Sequence, residues 1–383
     1  MSKRILILHA SLGSGHVSAA HALGDAFTRL GVTDVIIEDT LDYASSLLRS
    51  TFNTAYQKMC ERAPFLWKSL FDTTDTDDAE ESIRDNLRLG RLGYPFLRQL
   101  KKLVEKTNPD AIICTMPFPA MVFGRLKKQG KLSVPLYVVI TDFVAHSTWF
   151  NYGVNGYFLP GEVTQFQFLA RGHDPQLLRV TGIPVKLEIA EPKPMVDMRA
   201  KLKLPVHKPL LTVFGGGLVP ARVHTMLAML QESTAMATVV VVAGRNNKLT
   251  AALGDLSVGP NMELIKFERI DFVDDLVAAS DLVITKAGGL ITSEVLARGT
   301  PMIIIDPIPG QEEWNADVVA GCGAGVQLRM PEMAAQTALQ LLADPDRLAD
   351  MRRRSQRVGR PRAALDVAQQ VLTELNAKTP GQS

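Results

Sequence analysis

Short continuous runs of hydrophobic residues recur along the chain, and a helical pattern follows most of them. These runs are rich in valine and isoleucine and do not alternate with polar residues, which is typical of parallel strands that are covered on both faces. The runs lie at residues 5–10, 34–39, 111–114, 136–140, 156–159, 210–214, 238–243, 262–267, 282–285 and 301–306. Because strands alternate with helices, the pattern predicts βαβ units and open parallel sheets.

The set of strands occurs twice, on either side of a proline-rich stretch at 183–209. We therefore predict an α/β protein with two Rossmann-like domains whose parallel sheets face each other across a cleft. Ligands of such sheets bind beyond the carboxyl ends of the strands. The predicted boundaries are 1–183 for the N-terminal domain, 184–208 for a proline-rich linker, 209–355 for the C-terminal domain and 356–383 for a final helix and tail.

The composition narrows the class of protein without defining its function. Hydrophobic residues make up 46% of the 383 residues and charged residues 21%, which is ordinary for a folded globular protein. The 42 Lys and Arg against 40 Asp and Glu leave a net charge of +2, so no strong positive field predicts binding to nucleic acid. The three cysteines lack the spacing of a disulfide framework or a zinc ribbon, and they predict a reducing compartment.

One stretch of the N-terminal half combines apolar and basic character. Residues 48–63 carry apolar side chains at helical spacing, and residues 65–71 form a dense aromatic patch. An acidic run at 72–81 predicts an exposed loop. Residues 81–131 then contain eleven Lys or Arg against four acids, and Pro95 is predicted to start a helix. We interpret the 48–63 stripe as a core-facing helix, and the aromatic patch with the basic stretch as a surface for anionic membranes. The residues expected to face the membrane are Phe65, Trp67, Lys101 and Lys102.

A glycine-rich loop, Gly13-Ser14-Gly15-His16, follows the first predicted strand and leads into a helix of small residues. Glycine lets the backbone approach a ligand closely, and the start of a helix offers free amides. One interpretation is a dinucleotide-binding loop, with Glu38 at the end of the second strand holding a ribose. A second is that His16 acts as a general base, since an imidazole pKa of about 6.5 suits that role at neutral pH. A third is that His16 only forms hydrogen bonds at the helix start.

The C-terminal half carries polar residues in a pattern typical of nucleotide binding. After the strand that ends at Thr285, Gly288 and Gly289 predict a tight turn, and the hydroxyls of Thr292 and Ser293 are placed to hold a phosphate without a metal. Glu294 is a candidate carboxylate for a ribose, and residues 215–217 offer backbone amides to a diphosphate. Gln311, Glu312 and Asn315 form a polar set suited to sugar hydroxyls. Ordinary βα turns explain any one of these features but not all of them in this order.

Six motifs together give the chain a resemblance to a known family. They are Gly13-Ser14-Gly15-His16, Thr141-Asp142 with His146 and Trp149, the stretches 181–185 and 241–246, Lys286-Ala287-Gly288-Gly289 with Glu294, and the stretch 309–315. The sequence resembles the GT-B glycosyltransferases that build glycolipids, namely the processive diacylglycerol glucosyltransferases and the monogalactosyldiacylglycerol synthases. These are related to the transferase that forms lipid II with UDP-GlcNAc. The resemblance covers almost the whole chain.

The resemblance implies an inverting transfer of a hexose from UDP-glucose or UDP-galactose to the hydroxyl of diacylglycerol. It makes His16 the base, and Asp142 a second catalytic residue that orients His16 or holds a sugar hydroxyl. The residues implied on the acceptor side are Gly15, His146 and Trp149. The implied donor-binding residues are Gly215, Gly216, Gly244, Ile270, Lys286, Gly288, Gly289, Thr292, Glu294, Gln311, Glu312 and Asn315.

Neither a cofactor nor an essential metal is expected, because no Asp-x-Asp pair ends a predicted strand and no cluster of His, Cys and acidic residues stands out. The expected partners are the UDP-sugar, diacylglycerol and an anionic membrane surface, without nucleic acid. The expected location is the cytoplasm, peripherally at the inner face of the cell membrane. Two alternatives stay open: a GT-B enzyme with another lipid-linked or small-molecule acceptor, and a nucleotide-sugar sensor without turnover.

Overall fold

A computed structural model describes residues 3–11, 13–44, 63–254, 256 and 261–377. Within these residues the chain forms two compact units. The first unit comprises Met1–Glu188, Pro309–Gln311 and Arg362–Ser383, and the second comprises Ile189–Ile308 and Glu312–Pro361. The apolar stripe predicted at 48–63 lies, apart from Ala63, outside the described residues.

The first unit is built on a parallel six-stranded sheet. Its strands are β1 Arg4–His9, β2 Asp34–Asp39, β3 Ala111–Cys114, β4 Leu136–Val139, β5 Gly156–Leu159 and β6 Leu178–Val180. Their order in the sheet is β2-β1-β3-β4-β5-β6, and Ile5 pairs with Val35 on one side and Ala111 on the other. The direction of the chain across the sheet therefore reverses between β1 and β3, where ligands of such sheets bind.

The helices of the first unit follow the strands in chain order. They are α1 Ser14–Arg29, α2 Pro64–Thr74, α3 Ala79–Thr107, α4 Pro117–Lys128 and α5 Glu162–Ala170. Short 3-10 turns lie at Thr40–Tyr43, Ser147–Trp149, Pro175–Leu177 and Leu187–Ala190. No helix of the described ranges is both long enough and apolar enough to cross a bilayer.

The second unit has its own parallel six-stranded sheet, with the order β12-β11-β10-β7-β8-β9. Its strands are β7 Leu210–Phe214, β8 Ala237–Val242, β9 Met262–Phe267, β10 Leu282–Thr285, β11 Met302–Ile304 and β12 Gly325–Gln327. Its helices are α6 Met195–Lys201, α7 Pro220–Gln231, α8 Asn247–Ala252, α9 Val273–Ala279, α10 Gly289–Arg298, α11 Gln311–Gly321, α12 Pro331–Leu342 and α13 Pro345–Val358. The last helix, α14 Ala363–Ala377, belongs to the first unit.

Both faces of each sheet are buried, which explains the continuous hydrophobic runs. In β1, Leu6 and Leu8 pack into the cluster formed by α3 and α4, whereas Ile5 and Ile7 pack against α1 and α14. Successive side chains of a strand point to opposite faces, so a strand with helices on both faces needs apolar residues at every position. The final helix is therefore part of the core of the first unit.

The sequence pattern did not predict two of the strands. They are β6 Leu178–Val180 and β12 Gly325–Gln327, and each forms one edge of its sheet. Each is three residues long, and its residues are partly exposed except for the first. A strand this short gives no periodic pattern that can be separated from a loop.

The segment predicted as a linker at 184–208 is largely part of the second unit, which begins at Ile189. It contains α6, and Leu204 is buried in the same apolar cluster as residues of β7, β8 and α9. Arg199 is buried and pairs with Asp281 at 2.6 Å. Its prolines therefore lie in a segment that packs onto the sheet rather than in a free connection.

Two local predictions in the N-terminal half need correction. Helix α3 continues through Pro95, where a helix start was predicted, because both of its ends are held. Asn86 donates hydrogen bonds to two carbonyls of the 147–150 turn, and Leu100 is fully buried. The acidic run is exposed at Asp72, Asp77, Asp78, Glu80 and Glu81, but only 75–78 form a loop, since α2 extends to Thr74 and α3 begins at Ala79. The carboxylate of Asp75 is buried against Arg171, with contacts of 3.1 and 2.8 Å.

Candidate active site

The glycine-rich loop lies at the switch point of the first sheet, between the carboxyl ends of β1 and β3. Gly13 precedes α1 in extended conformation, and a Cβ at this position would meet no atom within 4 Å. His16 is the third residue of α1 and is partly buried. The loop thus brings an imidazole to the place where the fold offers a binding site.

The ring of His16 is oriented by the ends of two neighbouring strands. Its Nδ1 lies 2.7 Å from the carbonyl oxygen of Thr115, after β3, and 3.0 Å from the hydroxyl of Thr141, after β4. A carbonyl oxygen only accepts hydrogen bonds, so Nδ1 carries the proton and Nε2 keeps its lone pair. The indole of Trp149 lies beside the ring, with the centroids 6.3 Å apart.

The electrostatic surroundings keep His16 neutral. Burial lowers the pKa of His16 below its ordinary value, and the hydrogen bond to Thr115 only partly opposes that effect. A neutral imidazole with a free Nε2 can accept a proton from a hydroxyl group. The sequence analysis identified His16 but not Thr115, whose only signal is a polar residue directly after a buried strand.

His146, expected on the acceptor side, is buried, and protein atoms hold its ring. The residue is only 5% exposed, and burial lowers the pKa of its ring. Its Nδ1 accepts from the amide of Thr148 at 3.1 Å, so Nε2 carries the proton and donates to the carbonyl of Phe71 at 2.9 Å. The Phe71 ring also packs on the imidazole. Because both nitrogens bind the protein itself, His146 anchors the end of α2.

The other acceptor-side candidates divide between the loop and the core. Gly15 is the second residue of α1, directly before His16, and Asp142 is a partly buried residue in the loop after β4. Trp149 is only 3% exposed and belongs to the core of the first unit. It packs beside His16, and its expected contact with an acceptor stays a prediction.

The residues expected to face a membrane lie on α2 and α3. Phe65 is 80% exposed, and its neighbour Leu66 is 62% exposed. Trp67 is less exposed, and its Nε1 donates to Oε1 of Gln311 at 3.3 Å. Lys102 is exposed. The ammonium group of Lys101 pairs with Glu105 of the same helix at 2.9 Å. Helix α2 therefore presents apolar side chains to solvent, as expected for the aromatic patch.

In the second unit the loops after β7 and β10 meet at the corresponding switch point. A Cβ at residue 217 would collide with Cε of Lys286, so a larger residue here would force that side chain to move. A Cβ at Gly215 would clash with Leu249 in the same way. Asn246 holds this loop by donating from Nδ2 to the carbonyls of Gly215 and Leu218 at 3.1 and 3.0 Å. Close packing therefore favours glycine at 215 and 217, whereas a Cβ at Gly216 would meet only an ordinary contact.

The loop after β10 carries a buried ion pair. Nζ of Lys286 lies 2.9 Å from Oε1 of Glu312, whose other oxygen accepts from the amide of Ile308 at 2.8 Å. A Cβ at Gly288 would lie 3.6 Å from the same Glu312 oxygen. The two residues expected to bind the donor separately therefore form one pair, and Glu312 positions the lysine.

Three donor-site candidates have side chains in the protein interior. Thr292 and Asn315 are fully buried, and the Nδ2 of Asn315 donates to the carbonyl of Ala287 at 3.0 Å. The hydroxyl of Ser293 donates to the carbonyl of Gly289 at 2.8 Å within α10. Asn315 thereby holds the turn at 286–289, whereas the buried hydroxyl of Thr292 has no hydrogen-bond partner among the described residues. That the hydroxyls of Thr292 and Ser293 hold a phosphate stays a prediction. Whether these side chains are buried depends on tertiary packing, which the sequence motif does not reveal.

The remaining candidates stay accessible. Gly289 is the first residue of α10, whose first turn has amides without partners in the helix, and Glu294 is partly exposed further along it. Gly244 adopts a positive φ of 66° after β8, and Ile270 is partly buried before α9. Gln311 is grouped by its contacts with the first unit rather than with the second. Among the described residues, no three His, Cys, Asp or Glu side chains come together as potential metal ligands.

Two family models match the two halves of the chain. The model described as monogalactosyldiacylglycerol (MGDG) synthase matches residues 16–185, and the model described as glycosyl transferases group 1 matches residues 198–358. A protein of Bacillus subtilis named processive diacylglycerol beta-glucosyltransferase is 27% identical over 358 residues, which cover 92% of this chain and 90% of that protein. A protein of Bacillus cytotoxicus with the same name is 29% identical, and the match covers 98% of this chain and 95% of that protein.

Solved structures agree on the architecture. The crystal structure of MurG from Acinetobacter baumannii superposes with a TM-score of 0.61 at 14% identity, over 97% of this chain and 99% of that one. A structure of MnaA from S. aureus with UDP gives a TM-score of 0.60 at 14% identity over 100% of both chains. The chain is a glycosyltransferase of the GT-B type. The predicted fold class of this glycosyltransferase is thus confirmed, with two parallel sheets of six strands.

Proposed function

We propose that this glycosyltransferase moves a hexose from a UDP-sugar to the hydroxyl of diacylglycerol, with inversion, to give a β-glycosyl-diacylglycerol. The observation that carries the proposal is the neutral His16 at the switch point of the first sheet, with Nδ1 bound to Thr115 and Nε2 available. The match to the MGDG synthase model begins at this histidine. The names of the relatives support diacylglycerol as the acceptor.

The proposed reaction is a single displacement. The acceptor hydroxyl gives its proton to Nε2 of His16 while its oxygen forms a bond to the anomeric carbon of the hexose. The bond between that carbon and the diphosphate breaks, and its electron pair leaves with UDP. Attack from the face opposite the leaving group converts an α-linked donor into a β-glycoside. General-base assistance of this kind contributes about 10²–10⁴-fold to a rate.

The proposal assigns the donor to the second unit. The first turn of α10 and the ammonium group of Lys286 supply positive charge where the diphosphate would gain negative charge. Glu294 accepts from the ribose hydroxyls, and the backbone near Ile270 contacts the uracil. Because these groups provide the positive charge, we propose that no metal ion is essential. Structural neighbours described with UDP support a uridine nucleotide.

The donor sugar is proposed as glucose, with galactose as the competing choice. The relatives are named for glucosyl transfer, whereas the family model of the first half is named for galactosyl transfer. The two sugars differ in the orientation of one hydroxyl group. A contact with that hydroxyl decides between them, so both donors belong in the test.

The protein is proposed to act at the inner face of the cell membrane as a peripheral protein. The exposed Phe65 and Leu66 would enter the interface, and basic residues of α3 such as Lys102 would approach anionic headgroups. Each such basic residue contributes about 1 kcal/mol near an anionic surface. Such contacts would bring the enzyme to an acceptor that is embedded in a bilayer.

Product analysis tests the function. The purified protein is incubated with vesicles containing diacylglycerol and with labelled UDP-glucose or UDP-galactose, with chelator present, and lipid products are analysed by chromatography and NMR. The proposal expects a β-linked hexosyl-diacylglycerol from one donor. An α-linked product would contradict inversion. Transfer only to a non-lipid acceptor, or no transfer from either donor, would contradict the proposed function.

A further inference from the structure

A basic cavity lies between α3 and α4 of the first unit, in residues that the proposed reaction does not use. Its volume is about 380 Å³. Five of its seven lining residues are Lys or Arg, whose aliphatic parts form much of the wall. The lining residues are Arg84, Leu87, Arg88, Arg91, Arg125, Lys128 and Gln129. A cavity of this size accommodates a small group rather than a polymer.

Close packing of the two helices brings these residues to one cavity. A Cβ at Gly90 of α3 would lie 2.5 Å from the carbonyl oxygen of Met121 in α4, so the helices meet at this glycine. Arg84, Arg88 and Arg91 are spaced by four and three residues and therefore share one face of α3. These three residues and the basic residues at the end of α4 therefore line the same cavity.

The positive charge of the cavity is only partly compensated by the protein. Arg88 pairs with Asp85 at 2.8 Å, and the ammonium group of Lys128 lies 5.6 Å from the ring centre of Tyr152. In the part of the chain that the structure describes, no salt bridge is formed by Arg84, Arg91 or Arg125. Like charges that line one cavity repel each other, and an anion bound among them would remove that cost.

We infer that this cavity binds a phosphate group, carried by the headgroup of a phospholipid or by a small soluble phosphate ester. Four of its five cations are arginines, whose planar guanidinium groups form paired hydrogen bonds with phosphate oxygens. Leu87 and the aliphatic parts of the arginine side chains form the rest of the wall.

The cavity is separate from the proposed catalytic base. Helix α4 begins two residues after Thr115, which holds His16, whereas Arg125 and Lys128 lie in its last turn. At 1.5 Å per residue, these side chains start about 12–16 Å further along the helix. Phosphate binding can therefore be measured without a sugar donor, and its result does not depend on the proposed transferase reaction.

Binding to defined probes tests the inference with the full-length protein. The probes are glycerol 3-phosphate in solution, and vesicles of phosphatidylcholine with and without phosphatidylglycerol. The cavity variant is Arg91→Gln with Arg125→Gln. The control is Arg29→Gln with Arg357→Gln, which removes the same charge from exposed positions of other helices. The melting temperature of each variant is recorded with and without glycerol 3-phosphate.

The expected result is binding by the wild-type protein that the cavity variant weakens by about tenfold or more, and the control by less than about twofold. A soluble phosphate ligand is indicated if glycerol 3-phosphate binds and raises the melting temperature of wild type but not of the cavity variant. A lipid ligand is indicated if only vesicles with phosphatidylglycerol show the difference. The inference is overturned if neither probe binds, or if the cavity and control variants behave alike.

Discussion

At the scale of single residues, His16 and His146 show why the residue type alone does not define a role. Both belong to motifs that give the chain its family resemblance, and burial lowers the pKa of both rings. In His16 the carbonyl of Thr115 binds Nδ1 and leaves Nε2 free, whereas both nitrogens of His146 bind protein atoms. The carbonyl partners Thr115 and Phe71 are 99 and 75 residues away in the sequence, so the sequence could predict the candidates but not their tautomers.

The pH dependence of transfer tests the state of His16. Burial lowers its pKa below 6.5, so the neutral, basic form persists when the pH falls through that value. We expect the transfer rate to stay constant down to pH 6.5 and to decrease by about tenfold per pH unit only below the lowered pKa. The rate is measured with saturating donor, and circular dichroism at each pH confirms that the fold persists. A decrease that already begins above pH 7 would contradict a neutral His16 as the base.

The donor-site candidates show the same limit on prediction from a motif. The glycine turn and Lys286 lie where the motif indicated, because a loop at the end of a buried strand has few possible positions. Thr292 and Asn315 are in the interior, since the packing of α10 and α11 decides which side of each helix is buried. Spacing in the sequence gives the face that residues share, but not what covers it.

At the scale of secondary structure elements, long-range pairs determine what local composition cannot. The acidic run predicted an exposed loop, yet the carboxylate of Asp75 accepts two hydrogen bonds from Arg171 and one from the amide of Ser147. These partners link the end of α2 to the segments after α5 and β4. A pair separated by 96 residues leaves no local trace.

Removing that carboxylate tests its contribution to stability. The side chains of Asp75 and Arg171 are 14% and 10% exposed, so Asp75→Asn leaves the guanidinium with only the exposed carboxylate of Asp77, at 3.6 Å. We expect the free energy of unfolding at pH 7 to decrease by about 3 kcal/mol. Asp72→Asn, which alters the exposed pair with Lys68, is expected to cost less than about 1 kcal/mol. Urea denaturation measures both, and equal effects would contradict the assigned role.

The same pair gives a sign for the pH dependence. Burial raises the pKa of Asp75, but the hydrogen bonds from Arg171 and Ser147 outweigh it and lower the pKa below 3.8. The carboxylate therefore stabilises the folded state above pH 3.8, and this contribution is lost as the pH falls through the lowered pKa. The difference between the wild-type protein and Asp75→Asn should decrease over that range.

At the scale of the whole molecule, two sheets with different strand orders carry different parts of the proposed chemistry. Counted from β7, the second sheet has the order 3-2-1-4-5-6, which is typical of nucleotide-binding Rossmann folds. The duplication of the strand set made the two-sheet architecture predictable. The return of α14 to the first unit and the packing of 189–208 onto the second were not, because both depend on contacts between distant segments.

The proposed function requires that the first unit supplies the base and that the second unit binds the nucleotide. The most direct test is the affinity for UDP, measured by titration calorimetry for His16→Gln and Glu294→Gln, with His21→Gln as an exposed control on α1. We expect His16→Gln to bind UDP like the wild-type protein although it has lost transfer, and Glu294→Gln to bind it about tenfold or more weakly. Loss of UDP affinity in His16→Gln with unchanged affinity in Glu294→Gln would contradict the account.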